Sequence, residues 1–392
     1  MTATAPDAPA RPEPSPTQPA ARRPYRFFQP RNLAMWVYLF GVGLGGFSWI
    51  SSLAGTVPAY STGFAFALAV FTCYGALLWW FVHRLDRYSP LPGKLHAAAF
   101  AWGGLAATWV IAATANDALR SAYAKVLGGQ WAMAWGAGLA APFTEELAKG
   151  AGVLLLATMA PRQVRTAFDG LVLGAFSGLG FQVVEDVQYA MSSAASGFGA
   201  DQLGNAGVTV VMRAALGLGG HIAYSAVFGA GLLLLLGRSG QPRRPWVGLG
   251  LMASVMLVHG VWDDLAGILA QAPYAAIPAW IVLVAGMLAL AWLTHRLTVV
   301  PERAFLAGVL APEVDAGTLT AQEASALAGS RRDRRRYRKR GRGARRVLTA
   351  AEDLATALAA DTPPPDGTVE FARAEVHRLR AAGVAPAAAS AP

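Results

Sequence analysis

Charge is scarce in this sequence and cysteine is almost absent. Only 14% of the 392 residues are charged while 54% are hydrophobic, against about 25% charged in an ordinary soluble domain. That balance excludes a soluble globular protein and predicts a membrane protein. The single cysteine, Cys73, lies in an apolar run, so neither an intrachain disulfide nor a cysteine-based metal site can form. The first thirty residues lack the apolar core of a cleavable signal and are rich in Pro and Ala. They are expected to form a disordered cytoplasmic tail over 1–31. No repeat of fixed period, no inverted pair of halves and no HExxH helix is visible.

What is present is a series of apolar stretches near 32–54, 61–83, 95–115, 130–160, 168–191, 207–237, 246–269 and 275–295. Each is long enough to cross about 30 Å of hydrocarbon. The predicted fold is therefore all-α, a polytopic membrane bundle of about eight transmembrane helices, with the core over 32–296. Basic residues sort the junctions: Arg22, Arg23, Arg26 and Arg31, then Arg84, Arg87 and Lys94, then Arg162 and Arg165, then Arg238, Arg243 and Arg244, then Arg296 and Arg303. They fall at every second junction, which predicts a multi-pass protein of the cytoplasmic membrane with both termini cytoplasmic.

Residues 297–392 are expected to be a cytoplasmic basic tail, part disordered and part helical, with helices near 346–360 and 368–382. Its run RRDRRRYRKRGRGARR, residues 331–346, suits anionic lipid headgroups. No specific nucleic acid binding is expected, since the run contains one aromatic and no recognisable fold surrounds it.

Ionisable groups then appear where lipid should forbid them. Glu145, Glu146 and Lys149 fall in the fourth span, Glu185 and Asp186 in the fifth, His221 in the sixth, and His259, Asp263 and Asp264 in the seventh. A charge at mid-bilayer costs roughly 3 kcal/mol, so such residues face a bundle interior or a wet cavity. Lys149 is i+4 from Glu145 and i+3 from Glu146, so it can neutralise either. The two glutamates are about 100° apart around the helix, which predicts different jobs: one in the pocket, the other paired with Lys149 or Arg213. His259 and Asp263 are also i, i+4. Gly170, Gly174 and Gly178 repeat every fourth residue and allow two helices to approach closely.

Two hydrolytic chemistries fit these residue types. In one, His221 and His259 bind zinc with a carboxylate, Glu185 or Asp263, while a glutamate takes a proton. In the other no metal is needed: a glutamate and a histidine activate water, and the second histidine with Asp263 stabilises the oxyanion. A buried polar network that only holds the bundle together is the bland alternative. His83, His96, His295 and His377 are expected at interfacial or solvated positions, and Asp169 in a helix cap or first turn.

At these residues the chain resembles the PrsW-type intramembrane protease family, a branch of the group that includes CAAX-processing and bacteriocin-processing membrane proteases. The segments carrying the resemblance are EELAK, FQVVED, GGHIAYSAVFG and HGVWDD, in order on successive spans over roughly 130–270. One departure is Asp186, where the family usually has Asn. The resemblance implies a peptidase cutting a membrane-protein substrate in or next to the bilayer, in some relatives an anti-sigma factor. It also implies Glu145, Glu146, His221 and His259 as the catalytic residues, with a glutamate of the 145/146 pair as general base. It leaves open whether zinc takes part. Rival classes are a proton- or ion-coupled transporter and a noncatalytic scaffold whose tail recruits partners.

Overall fold

The computed structural model describes residues 25–88, 91–238, 241–359 and 367–382. Residues 1–24 of the expected N-terminal tail lie outside them. Residues 25–31 are pinned to the bundle: Tyr25 and Phe27 pack on the main core, and Gln29 Nε2 donates to the Met159 carbonyl at 2.8 Å. Asn32 then caps the first helix by accepting from Ala34 N–H at 3.0 Å.

The core helices are α1 (Leu33–Thr56), α2 (Ser61–His83), α3 (Gly93–Leu127), α4 (Gly129–Met159), α5 (Ala167–Ala194), α6 (Gln202–Leu216), α7 (His221–Leu236), α8 (Pro245–Asp263) and α9 (Ala276–Asp315). No strand occurs among the described residues beyond one isolated bridge, Arg238 to Gln241. Seven segments there are long and apolar enough to cross a membrane, with α6 and α7 forming one of them. The eighth long helix is α4, whose 31 residues are less apolar because Glu145, Glu146 and Lys149 fall at its middle. The spans expected from hydropathy thus recur as helices, and the described part of the chain is an all-α bundle.

The stretch holding Arg120 and Lys125 continues α3 to Leu127. The middle of α3, Trp102–Ala112, is π-helical. Trp102 Nε1 there donates to the Ala148 carbonyl of α4 at 2.8 Å. The sixth span is broken by a 3₁₀ turn over Gly217–Gly219, so His221 begins α7 instead of lying within one long helix.

The hub is α5, which is buried over 94% of its apolar window. Its entry is set by a capping box: Thr166 and Asp169 satisfy each other's backbone N–H, as a first-turn acid should. One face carries Gly170, Gly174 and Gly178 against α7. A Cβ on Gly174 would stand 2.0 Å from the Ser225 carbonyl oxygen, and one on Gly178 would stand 2.2 Å from that of His221. Only glycine permits this separation, which brings short side chains from two helices into one space.

Beyond residue 297 the chain does not leave the bundle. Helix α9 runs on through Pro301 and Pro312, and Glu302 accepts from Thr166 Oγ1 at 2.7 Å, joining α9 to the start of α5. Four helices follow: α10 (Ala321–Ala328), α11 (Arg331–Arg338), α12 (Arg342–Ala359) and α13 (Thr368–Ala381). Leu306, Leu310, Val347, Leu348, Leu354 and Val376 share the main core with α3 and α5 residues. Arg87 and Tyr88 donate to the Gly329 carbonyl at 3.0 and 3.1 Å. Ser330 caps α11 together with Asp333, and these hydrogen bonds from Ser330 hold the Asp333 carboxyl below its ordinary range. Residues 360–366 and 383–392 of the expected tail lie outside the described ones.

The α5/α7 packing gives a direct test. Gly174→Ala is expected to cost about 1–3 kcal/mol through overpacking, read as a lower unfolding midpoint in detergent. Gly43→Ala, whose Cβ would meet nothing within 4 Å, should leave that midpoint in place.

Candidate active site

Proline at position 142 inside α4 removes an N–H and leaves the Gly138 carbonyl without its helical donor. The neighbouring end of α8 closes on this spot: Asp264 Oδ1 accepts from Gly138 N–H at 2.8 Å, and a Cβ on Gly260 would stand 2.7 Å from the Gly138 oxygen. Asp264 therefore anchors α8 to α4. Its neighbour Asp263, rotated by about 100°, is left facing inward.

One turn further along α4 come the paired glutamates. Glu146 and Lys149 have no solvent exposure. Lys149 Nζ donates to Glu146 Oε1 at 2.7 Å, and Ser225 Oγ of α7 donates to Glu146 Oε2 at 3.2 Å. Lys149 Nζ also lies 4.2 Å from the centroid of the Phe181 ring. So the glutamate that pairs with Lys149 is Glu146, and Arg213 is committed elsewhere: it bonds Glu185 and Asp186.

Glu145 projects into a cavity of about 300 Å³ whose wall includes Gln182, Glu185, His221, His259 and Asp263. Asn116 Nδ2 donates to its Oε1 at 3.2 Å, whereas Oε2 is buried with no hydrogen bond. That oxygen stands 3.6 Å from His221 Nδ1 and 3.7 Å from His259 Nε2.

Each imidazole is oriented from behind by a carboxylate. His221 Nε2 lies 2.8 Å from Glu185 Oε2, and its Nδ1 lies 3.1 Å from Lys149 Nζ. An ammonium only donates, so Nδ1 accepts and the ring proton is on Nε2, toward Glu185. His259 Nδ1 lies 3.2 Å from Glu146 Oε1 without hydrogen-bond geometry, and its Nε2 is on the side of Glu145 and Asp263. Asp263 Oδ2 is 3.5 Å from that Nε2. Tyr224 stacks on His259 with ring centroids 4.7 Å apart.

Of the residues singled out by type and spacing, Glu145, Glu185, His221, His259 and Asp263 line one cavity, and one glutamate faces it while the other pairs with Lys149, as their rotation around the helix suggested. Glu145, His221 and His259 each offer a ligand atom within 4.8 Å of the others. The observed 3.6 and 3.7 Å separations are near the roughly 3.4 Å that tetrahedral geometry gives for bonds of about 2.1 Å. The donor types, two nitrogens and one carboxylate oxygen, fit a zinc-type ion, and carboxylates behind imidazoles are the usual support for such ligands, but Lys149 Nζ stands 3.1 Å from His221 Nδ1 and 3.6 Å from Glu145 Oε2 and would have to withdraw from them. Glu185 stands on the far nitrogen of His221, held by Arg213, and Asp263 is at the rim of the donor set.

Two groups escaped the sequence reading. His96, expected at an interface, is 1% exposed, with its Nε2 3.0 Å from Asp86 Oδ2 and its ring stacked on Phe176. It belongs to the packing beneath α5. Asn116 lies on the continuation of α3 and holds Glu145, and no motif marks it.

The buried ion pair generates a test. Lys149→Met leaves Glu146 without its cation and should cost about 3–5 kcal/mol. Combining it with Glu146→Gln should recover much of that loss, as measured by thermal unfolding in detergent. Equal loss in the single and double variants would show that the pair is not what Lys149 serves.

A family model described as PrsW family intramembrane metalloprotease matches residues 91–293, just over half of the chain and the whole of the cavity. No curated protein and no solved structure matches. With motifs and matched region coinciding on the same four helices, the chain belongs to the PrsW family of intramembrane metalloproteases.

Proposed function

We propose that this protease hydrolyses a peptide bond of a membrane-protein substrate, such as a signalling precursor, inside the cavity between α4, α5, α7 and α8. The observation that carries this reading is the convergence of Glu145 Oε2, lacking any hydrogen bond, on the inward nitrogens of His221 and His259. These three residues would hold a divalent metal, zinc by the chemistry of the donors. When bound, it supplies Lewis-acid polarisation of the scissile carbonyl and lowers the pKa of water.

The remaining residues divide the work around them. Glu146 and Lys149 stand behind the wall as a neutral pair, and Glu146 fixes the ring of His259. Glu185, itself clamped by Arg213, fixes the ring of His221. Asp263 has no cationic partner except His259 and is open to the cavity. It is the carboxylate free to take the proton of the attacking water at Oδ2 and to return it to the departing amine. Glu146, in contrast, is sealed from the cavity and acts as a positioning residue, so the reactive member of the glutamate pair is Glu145.

We further place both termini in the cytoplasm, because the basic junctions alternate as the positive-inside rule requires. Arg331, Arg332, Arg335 and Arg336 are exposed on α11 and suit anionic headgroups of the inner leaflet. A transporter would use similar intramembrane acids, but the family match favours hydrolysis.

The test uses the full chain. Glu145→Gln, His221→Ala and His259→Ala should each reduce bound metal well below one per chain by elemental analysis, and should cause uncut precursors to accumulate in the membrane proteome. Asp263→Asn should keep the metal yet lower turnover by about 10²-fold or more. Normal processing by all four variants would defeat the peptidase reading. Normal processing with metal-free protein would defeat the metal assignment alone.

A further inference from the structure

One polar side chain on the cavity wall has no use in the fold or in the chemistry above. Gln182 lies one turn before Glu185 on α5 and is 1% exposed, yet neither its Oε1 nor its Nε2 makes a hydrogen bond. The Tyr74 hydroxyl stands nearby but donates to the Ala214 carbonyl at 3.2 Å. Buried amides are almost always paired, because an unmade hydrogen bond is costly. This one lines the cavity with Glu145 and His221.

The amide is enclosed in a space that only glycine leaves for it. The broken span puts Gly217 and Gly220 beside the amide: a Cβ on Gly217 would stand 2.7 Å from Nε2, and one on Gly220 would stand 3.7 Å from Oε1. Along α5, Gln182, Glu185 and Tyr189 line the same wall and cover about 10 Å of helix, equal to about three residues of extended chain. A neutral carboxamide offers an acceptor and two donors. Those are the complements of the N–H and C=O groups that an extended peptide shows on one edge.

We propose that Gln182 binds the backbone of the substrate next to the bond that is cut, accepting from one peptide N–H at Oε1 and donating from Nε2 to a peptide C=O. The proposal rests on the peptidase reading above. Because it touches only backbone, Gln182 holds the chain extended and in register beside Glu145 without selecting side chains. Its contribution is to substrate affinity, so it acts on KM more than on kcat.

The experiment uses the full chain in proteoliposomes and a synthetic transmembrane peptide spanning the cut site of a precursor that accumulates with Glu145→Gln. Gln182→Leu should raise KM by about tenfold while kcat stays within about threefold and the unfolding midpoint does not fall. Gly217→Ala pushes the amide aside without removing it and should shift KM the same way. A set of peptides in which single backbone amides near the cut are replaced by esters adds a readout that a structural role would not move. One ester should weaken binding to the unaltered protein and have no further effect on Gln182→Leu. An unchanged KM in Gln182→Leu, or the same ester penalty in both proteins, overturns the proposal. Failure of the unaltered protein to cut any such peptide overturns the peptidase reading, and this proposal with it.

Discussion

The ion pair between Glu146 and Lys149 has no access to solvent, and the arrangement of the neighbouring helices answers the need to keep it satisfied. A buried charge is tolerable only when its partner and its remaining hydrogen bonds are supplied with good geometry. Ser225 of α7 donates to Glu146 and His259 Nδ1 of α8 lies 3.2 Å from it, while the His221 ring of α7 accepts from Lys149. Two helices, α7 and α8, are thus drawn onto α4 by one pair of charges. The same pairing leaves Glu145, its sequence neighbour, facing the cavity, its Oε2 without a hydrogen bond and 3.6 Å from Lys149 Nζ. Adjacent glutamates therefore divide into a structural one and a chemical one because helical rotation presents only one of them to Lys149 at short range.

Such contacts require backbones closer than ordinary side chains permit. Imidazole and carboxylate groups are short, and two helices at a leucine-packed distance would hold them apart. The glycines of α5 remove that obstacle toward α7. On another face of α5, a Cβ on Gly180 would stand 2.0 Å from the Phe100 oxygen of α3. The catalytic geometry is in this sense a consequence of small residues on the helix packed directly against the one that carries His221. It also explains why α5, with Glu185 and Asp186 on it, is almost wholly enclosed.

The spans were legible because hydropathy is a one-dimensional property, and the positions of Glu145, Glu146, Glu185, His221, His259 and Asp263 were legible because ionisable groups are so costly in such spans. Which of them face one another was not. A helical wheel shows that Lys149 can reach either glutamate, but the choice depends on Ser225 and His259 arriving from other helices. The break at Gly217–Gly219 was hidden in a run that scores as uninterrupted apolar sequence. His221 lies within the sixth span as expected, but it opens α7 after that break. Gln182 and Asn116 carry no charge and so left no trace in a search for costly residues. Two of the four C-terminal helices were visible as helical stretches near 346–360 and 368–382, but their union with the core through Glu302 and Gly329 depends on contacts more than a hundred residues apart in sequence.

The charge balance of the cavity bears on the metal. Glu145, Glu146, Glu185, Asp186 and Asp263 lie at or just behind its wall, with Lys149 and Arg213 as the cations paired to them and Arg120 as a further cation of the lining. Arg213 is absorbed by Glu185 and Asp186, and Lys149 by Glu146, so the surplus falls at Glu145 and Asp263. Both of these carboxylates lie within 4 Å of His259 Nε2, the ring nitrogen turned away from Glu146. Surplus negative charge in a low-dielectric space is relieved by proton uptake or by a bound cation. His259 Nε2 and the Glu145 and Asp263 carboxylates face that same point, so a divalent cation held there would relieve the surplus with donors of the type zinc takes.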